Sequence, residues 1–316
     1  MREPASGPSA RRAANPVSLT GVSKRYREVA ALDGVSIELT ENAIHGLLGR
    51  NGAGKTTLMH ILTGQGFESG GTVRVFGEYP YENAEVLRRI CFIKESQRYP
   101  EGFKVKHALH AGAVLYPGWD AAYAAELVSD FALPVEQAIK KLSRGQLSAV
   151  GVVVGLAAQA PLTIFDEPYL GLDAVARQVF YDHLLADYSR RPRTVVLSTH
   201  LIDEVSDLIE HVVLLDRGQV ILDGDADALR GDAVTVTGPS GAVSSFVAGH
   251  QVLHREDLGG VSRVTLRGVT DRPAIGGLSF EPVSLQQLVV RTAQSRREDE
   301  TNRTRVGAGS AGGNGR

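Results

Sequence analysis

Two kinds of hydrophobic pattern run along this chain. Val17-Ser18-Leu19-Thr20 and Val35-Ser36-Ile37-Glu38-Leu39 alternate apolar with polar residues, the period of half-buried strands. Ile44 to Leu48, Ile90 to Ile93, Leu162 to Phe165 and Thr194 to Ser198 are short apolar runs, as expected of strands buried on both faces of a parallel sheet. Thr72 to Gly77 predicts a strand ending in a glycine turn, and Val212 to Leu215 and Val220 to Leu222 predict two strands that close the α/β unit. Between these lie helix patterns: Thr57 to Leu62, a short helix from Tyr81 to Ile90, a strongly apolar one from Gln146 to Gln159, one from Asp173 to about Leu185, and Leu201 to Ile209. Lys94 to Phe103 is a polar loop punctuated by Pro100 and Gly102.

From Val105 to Ile139 no strand signal occurs. Ala108, Ala111 and Leu115 share one face of a first helix there, which Pro117 and Gly118 end, and Tyr123, Leu127 and Phe131 share a face of a second. This predicts a helical subdomain inserted into the α/β core at about residues 100–158. Beyond Asp223 the texture changes: Ala233 to Val236 and Val261 to Leu266 read as strands, Ser244 to Ala248 and Val283 to Val290 as short helices. The expected organisation is a disordered leader over 1–16, a main domain over 17–223, an α+β accessory region over 224–291 and a disordered tail over 292–316, the ends being rich in Pro, Ser, Gly and charge without periodicity.

Composition narrows the function. A net charge of −2 gives no electrostatic case for nucleic acid or anionic lipid as the main partner. The single Cys91 excludes an intrachain disulfide, which suits a reducing cytoplasm. The longest apolar run, Ala149 to Ala158, is too short to span a bilayer, so any membrane role falls to a partner. Arg11 and Arg12 are followed by no apolar segment, and no signal peptide is expected.

The chemistry centres on Gly49-Arg50-Asn51-Gly52-Ala53-Gly54-Lys55-Thr56-Thr57, which fits G-x-x-x-x-G-K-[ST] between a strand and a helix start. That context brings backbone N–H groups and the positive end of a helix onto one anion, which an incidental glycine turn would lack. Gly52 and Gly54 permit close backbone approach; Lys55 would meet the β- and γ-phosphates, and the Thr56 hydroxyl would ligate Mg²⁺. Downstream, the strand Leu162 to Phe165 ends in Asp166 and Glu167. Asp166 is suited to hold Mg²⁺ directly or through water, and Glu167 to act as general base toward an attacking water. His200, following the strand Thr194 to Ser198, falls at the same sheet edge, within reach of a γ-phosphate or that water. Ser143 with Gln146 three residues on forms a capping box, which by itself accounts for both; a capped helix start with Gly145 is also a place for phosphate from a facing surface. Tyr26 could stack on an adenine or serve as a core or hairpin aromatic.

Together these motifs resemble the nucleotide-binding subunits of ATP-binding cassette (ABC) transporters over Val17 to about Asp223. The resemblance implies a P-loop NTPase, RecA-like α/β core with an N-terminal antiparallel β-subdomain and an inserted helical subdomain. It implies an A-loop at Tyr26, Walker A at Gly49 to Thr56, a signature at Leu142 to Gln146, Walker B ending at Asp166 with Glu167 beside it, a D-loop at Gly171-Leu172-Asp173 and a switch histidine at His200. It further implies that ATP and Mg²⁺ bind between two cassettes, identical or different, with Ser143, Arg144, Gly145 and Gln146 of one facing the triphosphate on the other. Two residues depart from the family pattern. Arg144 replaces a usual glycine, and the loop after Ile93 has Glu95 where a glutamine is usual, with Gln97 close by; Glu95 fits the metal-contacting position by spacing. The expected role is ATP hydrolysis on the cytoplasmic face of a membrane, powering a separate integral-membrane permease. The C-terminal Glu281 to Leu288 stretch is similar to that of drug and antibiotic exporters, so export is expected. A soluble cassette ATPase acting on ribosomes or nucleic acid is the competing reading; one cassette, no long coiled coil and no basic run argue against it.

Overall fold

Val17, Leu19 and Val22 are buried along the first strand while their neighbours are more open, the alternation expected of a sheet with one covered face. In the computed structural model, which describes residues 15–95, 97–269 and 276–296, this strand, β1, runs Val17–Tyr26. It lies between β2 (Val29–Leu39) and β4 (Gly70–Val75), antiparallel to both, giving the antiparallel sheet order β2-β1-β4. β1 and β2 are longer than the alternating runs, and the tight turn at Arg27, with φ 53, joins them as a hairpin.

The chain divides into two compact units, one comprising residues 1–45 and 54–198, the other 46–53 and 199–316. In the first unit, β5 (Ile90–Ile93), β6 (Leu162–Asp166) and β7 (Thr194–Thr199) pair in parallel, and the apolar runs are buried throughout β6 and β7. Helix α5 (Arg144–Ala157) packs on this sheet through glycines. A Cβ on Gly155 would stand 2.4 Å from Phe165 Cε1, and one on Gly151 2.9 Å from Ile93 Cγ2. Phe165 meets Phe180 of α6 (Ala174–Arg190) edge to face at 5.4 Å. A buried pair, Arg193 to Asp187, with Gln159 Nε2 donating to Asp187 Oδ1 at 2.9 Å, ties the segment after α5 to α6 and to the start of β7.

Several element boundaries differ from the periodic reading. The helix expected over Tyr81 to Ile90 is one turn, α2 (Ala84–Leu87): Glu82 has φ 55, and the Asn83 side chain accepts from Val86 N and starts the helix there. The helical region holds α3 (Val105–Leu115) and α4 (Ala121–Asp130), but α3 buries Val105, Ala108 and Gly112. Leu115 is 64% exposed, while Trp119 folds back on Gly112, one turn earlier. Leu127 is fully buried on α4, as its pattern predicts. α6 extends to Arg190, beyond the expected end.

In the second unit, β8 (His211–Asp216) and β9 (Gln219–Asp225) form an antiparallel hairpin. The helix expected over Leu201 to Ile209 is the single turn α7 (Ile202–Val205). After a short helix, α8 (Ala226–Gly231), absent from the periodic reading, comes a four-stranded antiparallel sheet in the order β11-β12-β10-β13. Its strands are β10 (Ala233–Pro239), β11 (Gln251–Leu258), β12 (Val261–Arg267) and β13 (Ser279–Pro282). Helix α9 (Ser240–Val247) covers it, and Val234, Val236, Val243, Val264 and Leu266 form its core. β11 and β13 escape the pattern because their faces are mostly exposed. A last helix spans 285–296 and buries Leu285, Leu288 and Val289. It occupies the first residues of the expected tail; the remainder, and most of the expected leader, lie outside the described residues. Among the described residues no helix is long and apolar enough to cross a membrane.

Candidate functional site

Strand β3 (Ile44–Leu48) is buried at every position, and at its end the chain must turn in little space. Gly49, at φ 146, would place a Cβ 2.4 Å from the Leu215 carbonyl oxygen, so glycine is required. Ala53 N donates to Arg50 O at 3.0 Å, and Gly218 N to Ala53 O at 2.8 Å, which closes the loop on itself and anchors it, with Asn51 and Gly52 exposed at its tip. His200 lines the same cleft of about 540 Å³ as Arg50, Asn51, Gly52 and Ala53, together with Asp216 and Arg217. Thus the second unit brings His200 to the glycine loop, and adds Asp216 and Arg217, which the motif reading did not single out.

Helix α1 (Lys55–Leu62) starts at Gly54, which has φ 109 and no side chain to cap the first turn. The helices that follow Asp120, Ser143 and Asp173 do have their caps, each side chain accepting from the N–H three residues on. With no side-chain cap, the first turn of α1 directs the positive end of its dipole at the glycine turn, where an anion would be stabilised. Lys55 is 6% exposed, and its Nζ lies 3.9 Å from Glu167 Oε1. Thr56 Oγ1 donates to Asp166 Oδ2 at 3.4 Å, and Thr57 is half-buried behind it. The first unit thus joins the start of α1 to the end of β6.

Burial lowers the pKa of Lys55, an effect that Glu167 and Asp166 oppose. Burial likewise raises that of Asp166; Glu167 adds to the rise, while Ser198, Lys55 and Thr56 oppose it. Two buried carboxylates thus face the Lys55 ammonium. Glu167 has φ 51, in the left-handed region a side chain rarely adopts. Its backbone is held on both sides: its N donates to Ser198 O at 3.1 Å, and its carbonyl accepts from Leu170 N at 3.1 Å. The Tyr169 hydroxyl donates to Glu167 Oε2, a contact the motif reading missed; a hydroxyl two residues after the glutamate was its only signal.

The remaining candidates fall in three places. Tyr26 ends β1 and is 52% exposed, with the Lys24 ammonium 5.1 Å from its ring centroid, so it is a hairpin aromatic and no core residue. Ser143 and Gln146 form the expected reciprocal capping box at the start of α5, with Ser143 and Arg144 exposed. Gly145 lies against Gly171: a Cβ there would stand 2.7 Å from Gly171 O, and Ser148 Oγ donates to Leu170 O nearby at 2.5 Å. Asp173 accepts from Ala176 N at 2.8 Å and caps α6. Glu95 Oε1 lies 3.4 Å from Arg144 Nη2, and Gln97 Oε1 accepts from Lys94 N at 3.4 Å.

The ABC transporter family model matches residues 32–170. The chain is 30% identical over 230 residues to the Nod factor export ATP-binding protein I of Paraburkholderia xenovorans (strain LB400), covering 69% of this chain and 75% of that one. This chain belongs to the ATP-binding proteins of ABC transporters. It is also 30% identical over 222 residues to the doxorubicin resistance ATP-binding protein DrrA of Mycobacterium tuberculosis (strain CDC 1551 / Oshkosh), covering 68% of this chain and 67% of that one. A solved ATP-binding subunit of an ABC transporter shares the fold with a TM-score of 0.62 at 24% identity, over 68% of this chain and 91% of that one. As an ABC cassette the chain is an ATPase subunit, and the family match spans Lys55, Thr56, Ser143 to Gln146, Asp166 and Glu167. Tyr26, Asp173 and His200 fall outside the matched span.

Proposed function

We propose that this ABC cassette powers export of a small molecule, drug or lipid-like compound through a separate integral-membrane permease, docked on the cytoplasmic face of the membrane. The observation that carries the reading is the meeting of buried Lys55, Asp166 and Glu167 with exposed Thr56 at a helix start that no side chain caps. It supplies a phosphate-binding cation, the positive end of a helix, hard oxygen ligands and a candidate base in one place. The export relatives support the direction of transport.

In this reading the glycine loop and first-turn N–H groups hold the β- and γ-phosphates, with Lys55 over their oxygens. Tyr26, exposed at its hairpin, takes an adenine face. The donor set fits Mg²⁺: hard oxygens of Thr56 and Asp166 in a site with two carboxylates and one cation, with Glu95 the further candidate from the loop after β5. A Mg²⁺ held by Thr56 and Asp166 would supply positive charge to offset that of the phosphates. Glu167 accepts the proton of a water whose oxygen bonds to the γ-phosphorus as the bond to the β,γ-bridging oxygen breaks, and ADP leaves with that electron pair. His200 assists at the γ-phosphate. Ser143, Arg144, Gly145 and Gln146 of a second, identical cassette complete the site, with Asp173 at the same interface. We assign residues 17–223 to the ATP-binding domain and 224–291 to the accessory region.

Purification from detergent-solubilised membranes tests the reading. A multi-span membrane protein that co-elutes and stimulates phosphate release supports it; a ribosomal or nucleic-acid partner in its place overturns it.

A further inference from the structure

Tyr169 lies in the turn between β6 and α6 and is 2% exposed, with its backbone held by the Leu172 N–H bond to Tyr169 O at 3.0 Å. Burial of a phenol is compensated when its hydroxyl finds a strong acceptor, and here the acceptor is Glu167 Oε2. The other carboxylate oxygen, Oε1, faces Lys55 Nζ at 3.9 Å. The two oxygens of the candidate base are therefore addressed by different groups, one belonging to the phosphate site and one to the turn.

We propose that Tyr169 is a positioning residue for Glu167, holding one carboxylate oxygen so that the other is free to face the attacking water once Lys55 is drawn to the triphosphate. The inference rests on the reading of Glu167 as general base. The backbone of Glu167 is fixed by Ser198 O and Leu170 N at an uncommon φ of 51, so the remaining freedom of the carboxylate is its side-chain torsions. Lys55 and Tyr169 restrain those torsions in the nucleotide-free chain. A triphosphate has more charge to offer Lys55 than one carboxylate has, and the pull of Lys55 on Oε1 weakens as it binds. Tyr169 keeps its hold on Oε2, because its ring is buried in the turn and makes no demand on the phosphates. A general base must stand within hydrogen-bond reach of its water, and a carboxylate free to rotate spends most of its time elsewhere.

The test compares Tyr169→Phe, Glu167→Gln and the double variant, with ATP affinity, steady-state turnover and thermal midpoint measured for each. Tyr169→Phe keeps the buried ring and removes only the donor. Turnover is expected to fall about 10- to 100-fold, the effect of one hydrogen bond to a charged group, while ATP affinity stays within about twofold. In the Glu167→Gln background the same change is expected to cost nothing further, and 4-aminophenylalanine at position 169, which retains an N–H donor, is expected to restore turnover. Wild-type turnover in Tyr169→Phe, or an equal additional loss in the Glu167→Gln background, overturns the positioning role. Should Tyr169→Phe not fold, the 4-aminophenylalanine protein decides: turnover as low as that of Glu167→Gln overturns the role, and near-wild-type turnover supports it. Near-normal turnover in Glu167→Gln alone removes the general-base reading instead, so the two failures are distinguished.

Discussion

Arg144 Nη2 lies 3.4 Å from Glu95 Oε1, so the two residues that depart from the family pattern meet each other. A cation at the start of α5 faces a carboxylate in the loop after β5. Both side chains are exposed, at 72% and 45%, so the pair contributes at most about 1 kcal/mol to stability. A double-mutant cycle of Arg144→Ala and Glu95→Ala, read by chemical denaturation, is expected to give a coupling below about 1 kcal/mol that disappears near 1 M salt, where screening reaches about 3 Å. A coupling that survives high salt would show that more than this exposed charge pair joins the two segments.

Glu167→Gln is expected to retain ATP binding and to lose on the order of 10²-fold or more in turnover, as befits loss of a general base. Phosphate release and equilibrium nucleotide binding measured on one preparation check both halves. The amide keeps the shape of the side chain within the turn, so the thermal midpoint is expected to change little.

Lys55→Ala should raise the dissociation constant for ATP at least tenfold, since charge-assisted hydrogen bonds contribute about 1.5–3 kcal/mol each. Lys55 also stands beside two buried carboxylates, so the variant loses their counter-charge. Calorimetric titration with ATP checks the affinity; an unchanged value contradicts the phosphate role.

Gly155→Ala places a methyl group where Phe165 Cε1 is 2.4 Å and Ile93 Cγ1 2.9 Å away. Overpacking of this kind costs about 1–3 kcal/mol, because helix α5 must lift from the sheet or Phe165 must leave its place against Phe180. Urea denaturation is expected to show that loss. Gly231→Ala, with open space around the new methyl, is expected to show none.

Cys91 is fully buried in β5, and burial pushes its thiol up to about 12, with Tyr116 and Arg193 opposing the rise. The folded pKa lies above the unfolded one, so this stability contribution is complete below about pH 8.5 and is lost as pH rises through about 12. A thiol reagent at pH 8 is expected to leave the native chain unmodified and to label it only on unfolding, which mass spectrometry checks. In alkaline denaturation, Cys91→Ala is expected to flatten the fall in stability across that window.

The parallel strands were legible because burial on both faces demands unbroken apolar runs, and Ile90–Ile93, Leu162–Asp166 and Thr194–Thr199 pair in parallel register. The Ser143 cap was legible for a similar reason, its hydrogen bonds spanning only three residues. The helix at Ala84–Leu87 shrank to a single turn because a pattern of apolar spacing does not reveal where a side chain or a positive φ interrupts the backbone; nothing in the structure gives the same reason for the single turn at Ile202–Val205. Leu115 was placed on a buried face by spacing alone, but whether a helix's last residue is covered depends on what the rest of the chain packs there, and Leu115 is exposed.

By itself the amino-acid order determined the residue types of the site and their sequence along the chain: the glycine loop with Lys55 and Thr56, the carboxylates Asp166 and Glu167, and His200. These follow local rules, since a phosphate loop, a capped helix and a strand end each need particular residues at short spacing. Only the tertiary structure decided what those residues face. It set Thr56 against Asp166 across 110 positions of chain, joined Arg144 to Glu95, and turned the Tyr169 hydroxyl onto Glu167. Such contacts depend on how strands register and how helices pack, and the energy that selects them is spread over the whole buried core and is not written at either partner.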